Sequence, residues 1–224
     1  SAKNFGALIV PDLSDPAETL RIVESRNFSG DLLLKELQGR VVNILHFAEA
    51  LSRKFHVVVA NPPYMSWNGM NIGLQSFAKD TYPDSRFDLM TCFMTRCSQY
   101  TLRGGYWGMI NLPSWMFLSS FTNFREKFIS RQQVTSFLHL GRGIFGSDFG
   151  STAFSIRNCS PHVDAKAVYR RLFDRHVDVR SVKEIEKLYL DDRIGRYIFH
   201  QKRFASIPGR PIVYWLSDSI MRSF

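Results

Sequence analysis

The residues best suited to chemistry are consecutive: Asn61, Pro62, Pro63 and Tyr64 directly follow the apolar stretch Val57–Ala60. The β-branched stretch predicts a buried strand, and the two prolines, which lack an N–H and have a fixed φ, must end it. We therefore expect a rigid loop at the carboxyl end of a strand, where open α/β folds bind their ligands. A carboxamide, proline carbonyls and an aromatic ring at such a place are suited to binding a planar amine.

The planar amine that fits best is the exocyclic N6 group of adenine. Its lone pair is delocalised into the ring, so the nitrogen is a poor nucleophile until acceptors bind its N–H groups and favour sp³ geometry. Asn61 Oδ1 and the Pro62 carbonyl can be these acceptors, and Tyr64 can stack on a flipped base. Asn61 is neutral and cannot be a strong base, so we expect the proton to leave after the nitrogen has reacted. The simpler alternative is that the tetrapeptide only ends a strand.

The tetrapeptide resembles the signature of amino-methyltransferases that act on DNA adenines. The stretch from Phe55 to Asn158 is similar to the second half of an N6-adenine methyltransferase domain. Two further phrases, Ala2–Gly6 and Ile207–Trp215, are similar to the adenine-specific methyltransferase of BREX phage-defence systems, the PglX type. The resemblance implies site-specific N6-methylation of adenine in double-stranded DNA with S-adenosylmethionine as cofactor. It also implies a role in phage defence or restriction-modification, with other phage-defence proteins as possible partners.

Two alternative functions stay open. The chain could be a DNA- or protein-binding module that keeps the methyltransferase fold without catalysis, or it could methylate another planar group such as a protein glutamine. The 29 Lys and Arg residues exceed the 20 Asp and Glu residues and give a formal net charge of +9, which suits a nucleic acid. Ordinary solvated surfaces can be basic as well.

The compartment is predicted from what the sequence lacks. Cys92, Cys97 and Cys159 form no paired disulfide framework and have no metal-ligand spacing, so we expect reduced thiols and no metal site. Neither a signal peptide nor an apolar run of membrane-spanning length is found. A cytoplasmic protein that does not insert into membranes is therefore expected.

The order of apolar patterns predicts an α/β fold, with a partial Rossmann-like methyltransferase sheet that is mostly parallel and ends in a β-hairpin. Strands are expected at residues 4–10, 55–60, 106–112, 134–140 and 152–156. Helices are expected after Asp31, at 88–102 before a glycine pair, and at 121–130, and a long loop is expected at 65–85. We assign residues 1–158 to the C-terminal part of a catalytic domain. Residues 159–224 are expected to form a basic α+β extension leading towards a target-recognition region.

The segment Gly141–Gly146 spells Gly-x-Gly-x-x-Gly, a pattern found in cofactor-binding loops. Such a loop must open a helix, whereas a further strand is predicted here, so we interpret the segment as a hairpin turn. In the family that the chain resembles, this turn carries an aromatic residue that stacks on the extruded adenine, opposite the tyrosine of the tetrapeptide. Phe145 occupies the matching position, and Phe149 is the alternative.

The main cofactor-binding motif of a methyltransferase is not found in the sequence. No glycine-rich strand-to-helix turn lies between Ser1 and Phe55, and the chain does not begin with Met. We therefore expect a fragment of a larger protein, and we expect the isolated chain neither to bind S-adenosylmethionine nor to be active. The resemblance implies one remaining cofactor contact at Phe93, for which a role in the core is an equal alternative.

Basic residues in the second half of the chain are candidates for phosphate contacts, which would position DNA without reading its sequence. Exposed, solvated side chains are the alternative interpretation. The candidates are Arg142, Arg170, Arg171, Lys202 and Arg203.

Overall fold

The computed structural model describes residues 2–28, 30–146, 149–175, 178–221 and 223, with side chains from residue 4 onward. The chain divides into two compact units, residues 1–54 and residues 55–224.

The first unit is helical in its described part. Its helices are α1 Ala2–Phe5, α2 Pro16–Ser25 and α3 Leu32–Ser52, with a 3₁₀ turn at Gly6–Leu8. The helix predicted after Asp31 is confirmed, because Asp31 Oδ1 accepts from the N–H groups of Leu33 and Leu34 at 2.9 and 3.1 Å. The strand predicted at residues 4–10 is wrong. Gly6 has a φ of +50°, which no strand accommodates, and the chain turns there.

The second unit contains one six-stranded sheet with helices between its strands. The strands are β1 Phe55–Ala60, β2 Thr101–Asn111, β3 Gln133–Arg142, β4 Gly150–Arg157, β5 Lys166–Arg171 and β6 Arg196–His200. The helices of eight or more residues are α4 Ile72–Thr81, α5 Leu89–Tyr100, α6 Thr122–Arg131 and α7 Val182–Leu190, and the short α8 spans Asp218–Met221.

The order across the sheet is β1-β2-β4-β3-β5-β6. β1 is parallel to β2 and β3 is parallel to β5, whereas β4 is antiparallel to both of its neighbours and β6 is antiparallel to β5. Four of the six strands, β1, β2, β3 and β5, therefore run in the same direction. This confirms the predicted α/β class with a mostly parallel sheet. The β3–β4 hairpin is also present, and its second strand lies between β2 and β3.

The sheet continues beyond the hairpin through β5 and β6. The predicted boundary after residue 158 therefore falls inside the second unit, where β5 pairs with β3. The functional division of the chain at that point stays a prediction.

Three local predictions in this unit need correction. β1 was expected to be buried, but it lies at the edge of the sheet, and Val57 and Val59 are 62% and 79% exposed. The loop expected at 65–85 contains α4, because Asn71 Oδ1 accepts from Leu74 N–H at 2.9 Å and caps a helix there. The glycine pair expected to end α5 lies within β2, and the helix already ends at Tyr100.

The core of this unit is rich in aromatic side chains packed between the sheet and its helices. Trp115 is central, with ring contacts to four phenylalanines, namely Phe124, Phe128, Phe137 and Phe154. Cys92 and Cys97 are buried on α5 as free thiols, and burial raises their pKa values to about 12 and about 11. Among the described residues, no helix combines the length and the apolar character needed to cross a membrane.

Candidate active site

The carboxyl ends of β1, β2, β3 and β5 meet at one edge of the sheet, because these strands share one direction. The register places four residues in line across the sheet near this edge. Asn111 on β2 faces Thr152 on β4, Thr152 faces His139 on β3, and His139 faces Arg171 on β5. Segments that leave these strands, among them the tetrapeptide 61–64, are therefore neighbours along the carboxyl edge.

The tetrapeptide follows the last residue of β1, as the sequence predicts. Asn61 is exposed, Pro62 is buried and Tyr64 is half-buried. The Tyr64 hydroxyl lies 3.0 Å from Asn61 Oδ1 and 3.2 Å from the Ile110 carbonyl oxygen, and its single proton is shared between these acceptors. When the Tyr64 proton is donated to Asn61 Oδ1, the second lone pair of that oxygen is left for a ligand donor. Burial raises the pKa of Tyr64, so the hydroxyl stays a donor.

A buried carboxylate anchors the segment that leaves the tetrapeptide. Asp88 Oδ1 accepts from Met65 N–H at 3.2 Å and from Met90 N–H at 3.0 Å, and Leu89 N–H donates to the Met65 carbonyl at 2.9 Å. Asp88 is 7% exposed, and burial raises the pKa of its carboxyl group. The sequence indicated Asp88 only as the start of a helix. The structure shows that this N-cap also holds the residue after Tyr64.

Replacing Asp88 by asparagine is expected to leave stability at neutral pH unchanged or higher. The amide oxygen can still accept both N–H bonds, and the cost of burying a charge is removed. Because the folded pKa of Asp88 is raised, its contribution to stability is fully present below the unfolded value of 3.8 and is lost as pH rises through the folded pKa. Thermal unfolding between acid and neutral pH should therefore depend less on pH in the Asp88→Asn variant.

The matched variant is Asp88→Ala, which removes the oxygen that accepts both N–H bonds. It is expected to lower the free energy of unfolding by about 1–2 kcal/mol, the scale of a lost helix cap. Equal stability of the alanine and asparagine variants at neutral pH would contradict the anchoring role.

An aromatic cleft lies beside the tetrapeptide. The rings of Tyr64 and Phe149 are 6.2 Å apart between centroids and nearly perpendicular, at 85°. Phe149 borders a cleft of about 290 Å³, whose lining is Leu112, Pro113, Ser114, Phe117, Phe149 and Gly150. Phe117 was not singled out from the sequence, where its only signal is its place four residues after Pro113, the proline that follows β2.

The segment Gly141–Gly146 is the end of β3 and a turn, in which Gly146 N–H donates to the Gly143 carbonyl at 3.1 Å. This confirms the predicted hairpin turn. Phe145 lies in the turn and is 47% exposed. Of the two candidates for base stacking, Phe149 is the one that contacts Tyr64 in the described part of the chain.

A buried polar network supports the wall of the cleft. Asn111, at the end of β2, is fully buried, and its Oδ1 accepts from Thr152 Oγ1 at 2.6 Å and from Trp115 Nε1 at 3.3 Å. The network therefore connects β2 and β4 to the segment that carries Phe117. Asn111 was not singled out from the sequence, where it appears as one polar residue at the end of an apolar strand.

The predicted cofactor contact, Phe93, is half-buried on α5 and packs against the aromatic core. Its contact with a cofactor stays a prediction. Two of the strand-to-helix connections at this edge, those that follow β1 and β2, begin with Asn61–Tyr64 and with Leu112-Pro113. That the isolated chain does not bind S-adenosylmethionine stays a prediction as well.

Arg170 is not available for DNA, contrary to the prediction. It is 5% exposed, and its guanidinium donates to the carbonyls that follow or end α7. The acceptors are the backbone oxygens of Leu188, Tyr189, Asp191 and Ile194 and a carboxylate oxygen of Asp192. Because side chains alternate along a strand, Arg170 points towards the end of α7, while Arg171 points to the opposite face of the sheet.

The other basic candidates keep some exposure. Arg171 is half-buried at the end of β5, and Arg142 is half-buried at the end of β3, so both lie at the carboxyl edge. Lys202 is exposed, and Arg203 forms an ion pair with Asp218 at 2.6 Å. DNA contacts of these four residues stay predictions.

Solved structures of similar fold define the class. The chain aligns with the DrdV–DNA complex at a TM-score of 0.56 and 14% identity, over 78% of this chain and 20% of that one. It aligns with a nuclease-deletion mutant of the Type ISP restriction-modification enzyme LlaGI, solved with a DNA substrate mimic, at a TM-score of 0.54 and 14% identity, over 92% of this chain and 21% of that one. The chain therefore shares its fold with part of a restriction-modification enzyme of known structure.

Sequence comparison identifies the family. Residues 19–145 match the model of the Eco57I restriction-modification methylase, and the chain belongs to this family. It is 33% identical over its whole length to the adenine-specific methyltransferase BrxX of Escherichia coli O9:H4 (strain HS). It is 32% identical over 97% of its length to the adenine-specific methyltransferase PglX of Lacticaseibacillus casei (strain Zhang). These relatives confirm the predicted resemblance to the PglX type, and the chain spans 19% of the length of each.

Proposed function

We propose that the whole protein that carries this chain transfers a methyl group from S-adenosylmethionine to N6 of an adenine flipped out of double-stranded DNA. The observation that carries the proposal is the oriented Asn61 oxygen, which is exposed at the carboxyl edge beside an aromatic cleft. Both curated relatives are named as adenine-specific methyltransferases, which supports adenine as the target.

In this proposal the chain's own residues hold and orient the amine. One N–H of adenine N6 donates to the free lone pair of Asn61 Oδ1, and the other donates to the Pro62 carbonyl. These bonds favour sp³ geometry at the nitrogen and are strongest when positive charge develops on it, so they stabilise the transition state more than the ground state. Asn61 is neutral, so the proton leaves to solvent or to another group after the methyl group has been transferred.

The base itself would lie in the aromatic cleft. Tyr64 offers one face, and Phe149 is the neighbouring ring, which stands at 85° to that of Tyr64 and would have to turn parallel to it to cover the other face of a planar base. Phe149 is 41% exposed, so its ring has room to move. The structure thus favours Phe149 over Phe145 as the second stacking residue.

Replacing Phe149 by alanine is expected to weaken capture of the flipped adenine by about 1–3 kcal/mol, the usual scale of one aromatic–base stack. Phe145→Ala is the matched control, because it removes the same ring from the neighbouring turn. A fluorescent adenine analogue at the target position reports both effects. A larger effect of Phe145→Ala would assign the stack to the turn, as the sequence alone suggests.

Two observations favour a nucleobase over a protein glutamine. A glutamine side chain has no ring for Tyr64 and Phe149 to stack on, and the formal net charge of +9 suits a polyanion. A binding module without catalysis would have no need of the hydrogen bond that orients the Asn61 amide. We further propose that the protein serves phage defence and that residues 159–224 lead towards its target-recognition region.

The acceptor of the methyl group tests the proposal directly. The whole protein is incubated with methyl-labelled S-adenosylmethionine and either DNA or a protein mixture. We expect label on DNA alone. Label on protein would indicate a glutamine methyltransferase, and cofactor binding without transfer to DNA or protein would indicate a module without catalysis.

A further inference from the structure

Aromatic and cationic side chains continue along the carboxyl edge beyond the candidate amine site. Phe117 lines the same cleft as Phe149 and lies 5.9 Å from Trp215 between ring centroids. The guanidinium of Arg171 lies 5.3 Å from the centroid of Trp215. We name these residues, Phe149, Phe117, Trp215 and Arg171, the edge row.

The edge row is long enough for more than one nucleotide. The row continues the candidate amine site, where Tyr64 bonds to β2, as far as Arg171 on β5, and these strands lie in the order β2-β4-β3-β5. The three strand spacings from β2 to β5 amount to about 14 Å. A stacked strand of DNA advances about 3.4 Å per nucleotide, so the edge row spans several nucleotides.

Arg171, the cation at the end of the edge row, is surrounded by aromatic rings and a backbone carbonyl. The Arg171 guanidinium lies 4.7 Å from the centroid of Phe173 as well as over Trp215, and its Nη2 donates to the Asp174 carbonyl at 3.1 Å. Within the part of the chain that the structure describes, Arg171 forms no ion pair with a carboxylate, and its buried Nε has no acceptor. Two acidic residues of the segment that follows β5, Asp174 and Asp178, pair with Arg180 at 3.3 and 3.8 Å.

The backbone at this arginine is fixed. Arg171 N–H donates to the Gly195 carbonyl at 2.8 Å, and a Cβ at Gly195 would lie 1.9 Å from the Arg171 carbonyl oxygen. With its backbone tied to the strand end and its head group stacked on rings, Arg171 loses little entropy on binding an anion. A phosphate is the anion that a planar guanidinium at a DNA-facing edge fits best.

We propose that the edge row carries the DNA strand that flanks the flipped adenine: Phe117 and Trp215 stack on a neighbouring base, and Arg171 binds a phosphate of the same strand. This inference rests on the proposed function, because it takes the flipped base to lie between Tyr64 and Phe149. It adds the direction in which the DNA strand leaves that site. The DNA strand runs across the sheet from β1 towards β5.

The phosphate contact is tested by measuring DNA affinity of the whole protein at several salt concentrations. Arg171→Ala is expected to weaken binding about tenfold and to lower the salt slope by about 0.9, the value for one phosphate. Arg157→Ala is the matched control, because Arg157 is an exposed arginine at the carboxyl end of the antiparallel β4, on the opposite edge of the sheet. Equal effects of the two variants would overturn the proposal.

The base contact is tested with a fluorescent adenine analogue placed either at the target position or at the nucleotide next to it. Phe117→Leu keeps the apolar packing on Trp215 but removes the π face. We expect it to abolish most of the emission change of the flanking analogue and to leave the response of the target analogue. An unchanged flanking signal in a variant with wild-type thermal stability would overturn the stacking role.

These measurements separate the inference from the proposed function. If the wild-type protein methylates DNA while Arg171→Ala and Phe117→Leu bind DNA as the wild type does, the edge row is wrong and the methyltransferase proposal stands. If binding depends on Arg171 and Phe117 but no methyl group reaches DNA, the edge row is supported and the methyltransferase proposal fails. Arg171→Lys adds a check on folding, since it keeps the charge and should keep the salt slope.

Discussion

Replacing Asn61 by alanine in the whole protein is expected to nearly abolish methyl transfer, with kcat lower by about 10²–10³-fold, the scale of one preorganised transition-state hydrogen bond. The reason is the loss of the oriented acceptor for adenine N6. Asn61 is exposed and follows the end of β1, so the fold does not depend on its side chain. Binding of S-adenosylmethionine should stay close to the wild type, and DNA affinity should fall by only about 0.5–1.5 kcal/mol, because the lost hydrogen bond is strongest in the transition state.

The matched control for this variant is Asn68→Ala. Asn68 is another exposed asparagine, seven residues further on in the 3₁₀ turn Trp67–Gly69. The Asn68→Ala replacement removes the same kind of side chain without altering the candidate amine site, so we expect near wild-type kcat. Equal activity of the two variants in a single-turnover assay would show that Asn61 does not hold the reacting amine.

The second large effect is expected at Arg125, which is 1% exposed on α6. Its guanidinium donates to the carbonyl oxygens of Trp115 at 2.9 Å, Leu118 at 2.7 Å and Gly209 at 2.7 Å. Arg125→Met would remove this buried donor from all three carbonyls, of which that of Leu118 keeps the Phe121 N–H, and should lower the free energy of unfolding by about 3–4 kcal/mol. Urea denaturation measures the change.

Arg131→Met on the same helix is the control for this loss. Arg131 is exposed in the last turn of α6, so its replacement should change stability by less than about 0.5 kcal/mol. Because Trp115 and Leu118 flank Phe117, Arg125→Met should also disorder the wall of the cleft and weaken DNA binding. A stable Arg125→Met variant would show that the hydrogen bonds of Arg125 are not needed to hold that wall.

The features that could be predicted from the sequence depend on neighbours along the chain. Proline has no N–H, so the end of β1 at Asn61–Tyr64 follows from local covalent structure alone. The cap at Asp31 and the hairpin turn at Gly141–Gly146 are local in the same sense. The prediction at residues 4–10 failed because a short apolar pattern does not distinguish a strand from a helical turn without its partners.

The features that could not be predicted depend on the register of the sheet. Phe149 reaches Tyr64, and Phe117 reaches its cleft, because β4 lies between β2 and β3, an order that the sequence does not reveal. Arg170 and Arg171 are adjacent, so alternation requires that they point to opposite faces. Which of them is buried depends on the position of α7, whose terminal carbonyls bind Arg170.

The most direct test of the account is a double-mutant cycle between Asn61 and the target amine. DNA affinity is measured for the wild type and for Asn61→Ala, each with adenine or with purine, which lacks the 6-amino group, at the mapped target position. We predict that the wild type prefers adenine and that Asn61→Ala loses this preference, with a coupling free energy of about 0.5–1.5 kcal/mol for one hydrogen bond. Additive effects of the two changes would contradict the claim that Asn61 holds the adenine amine.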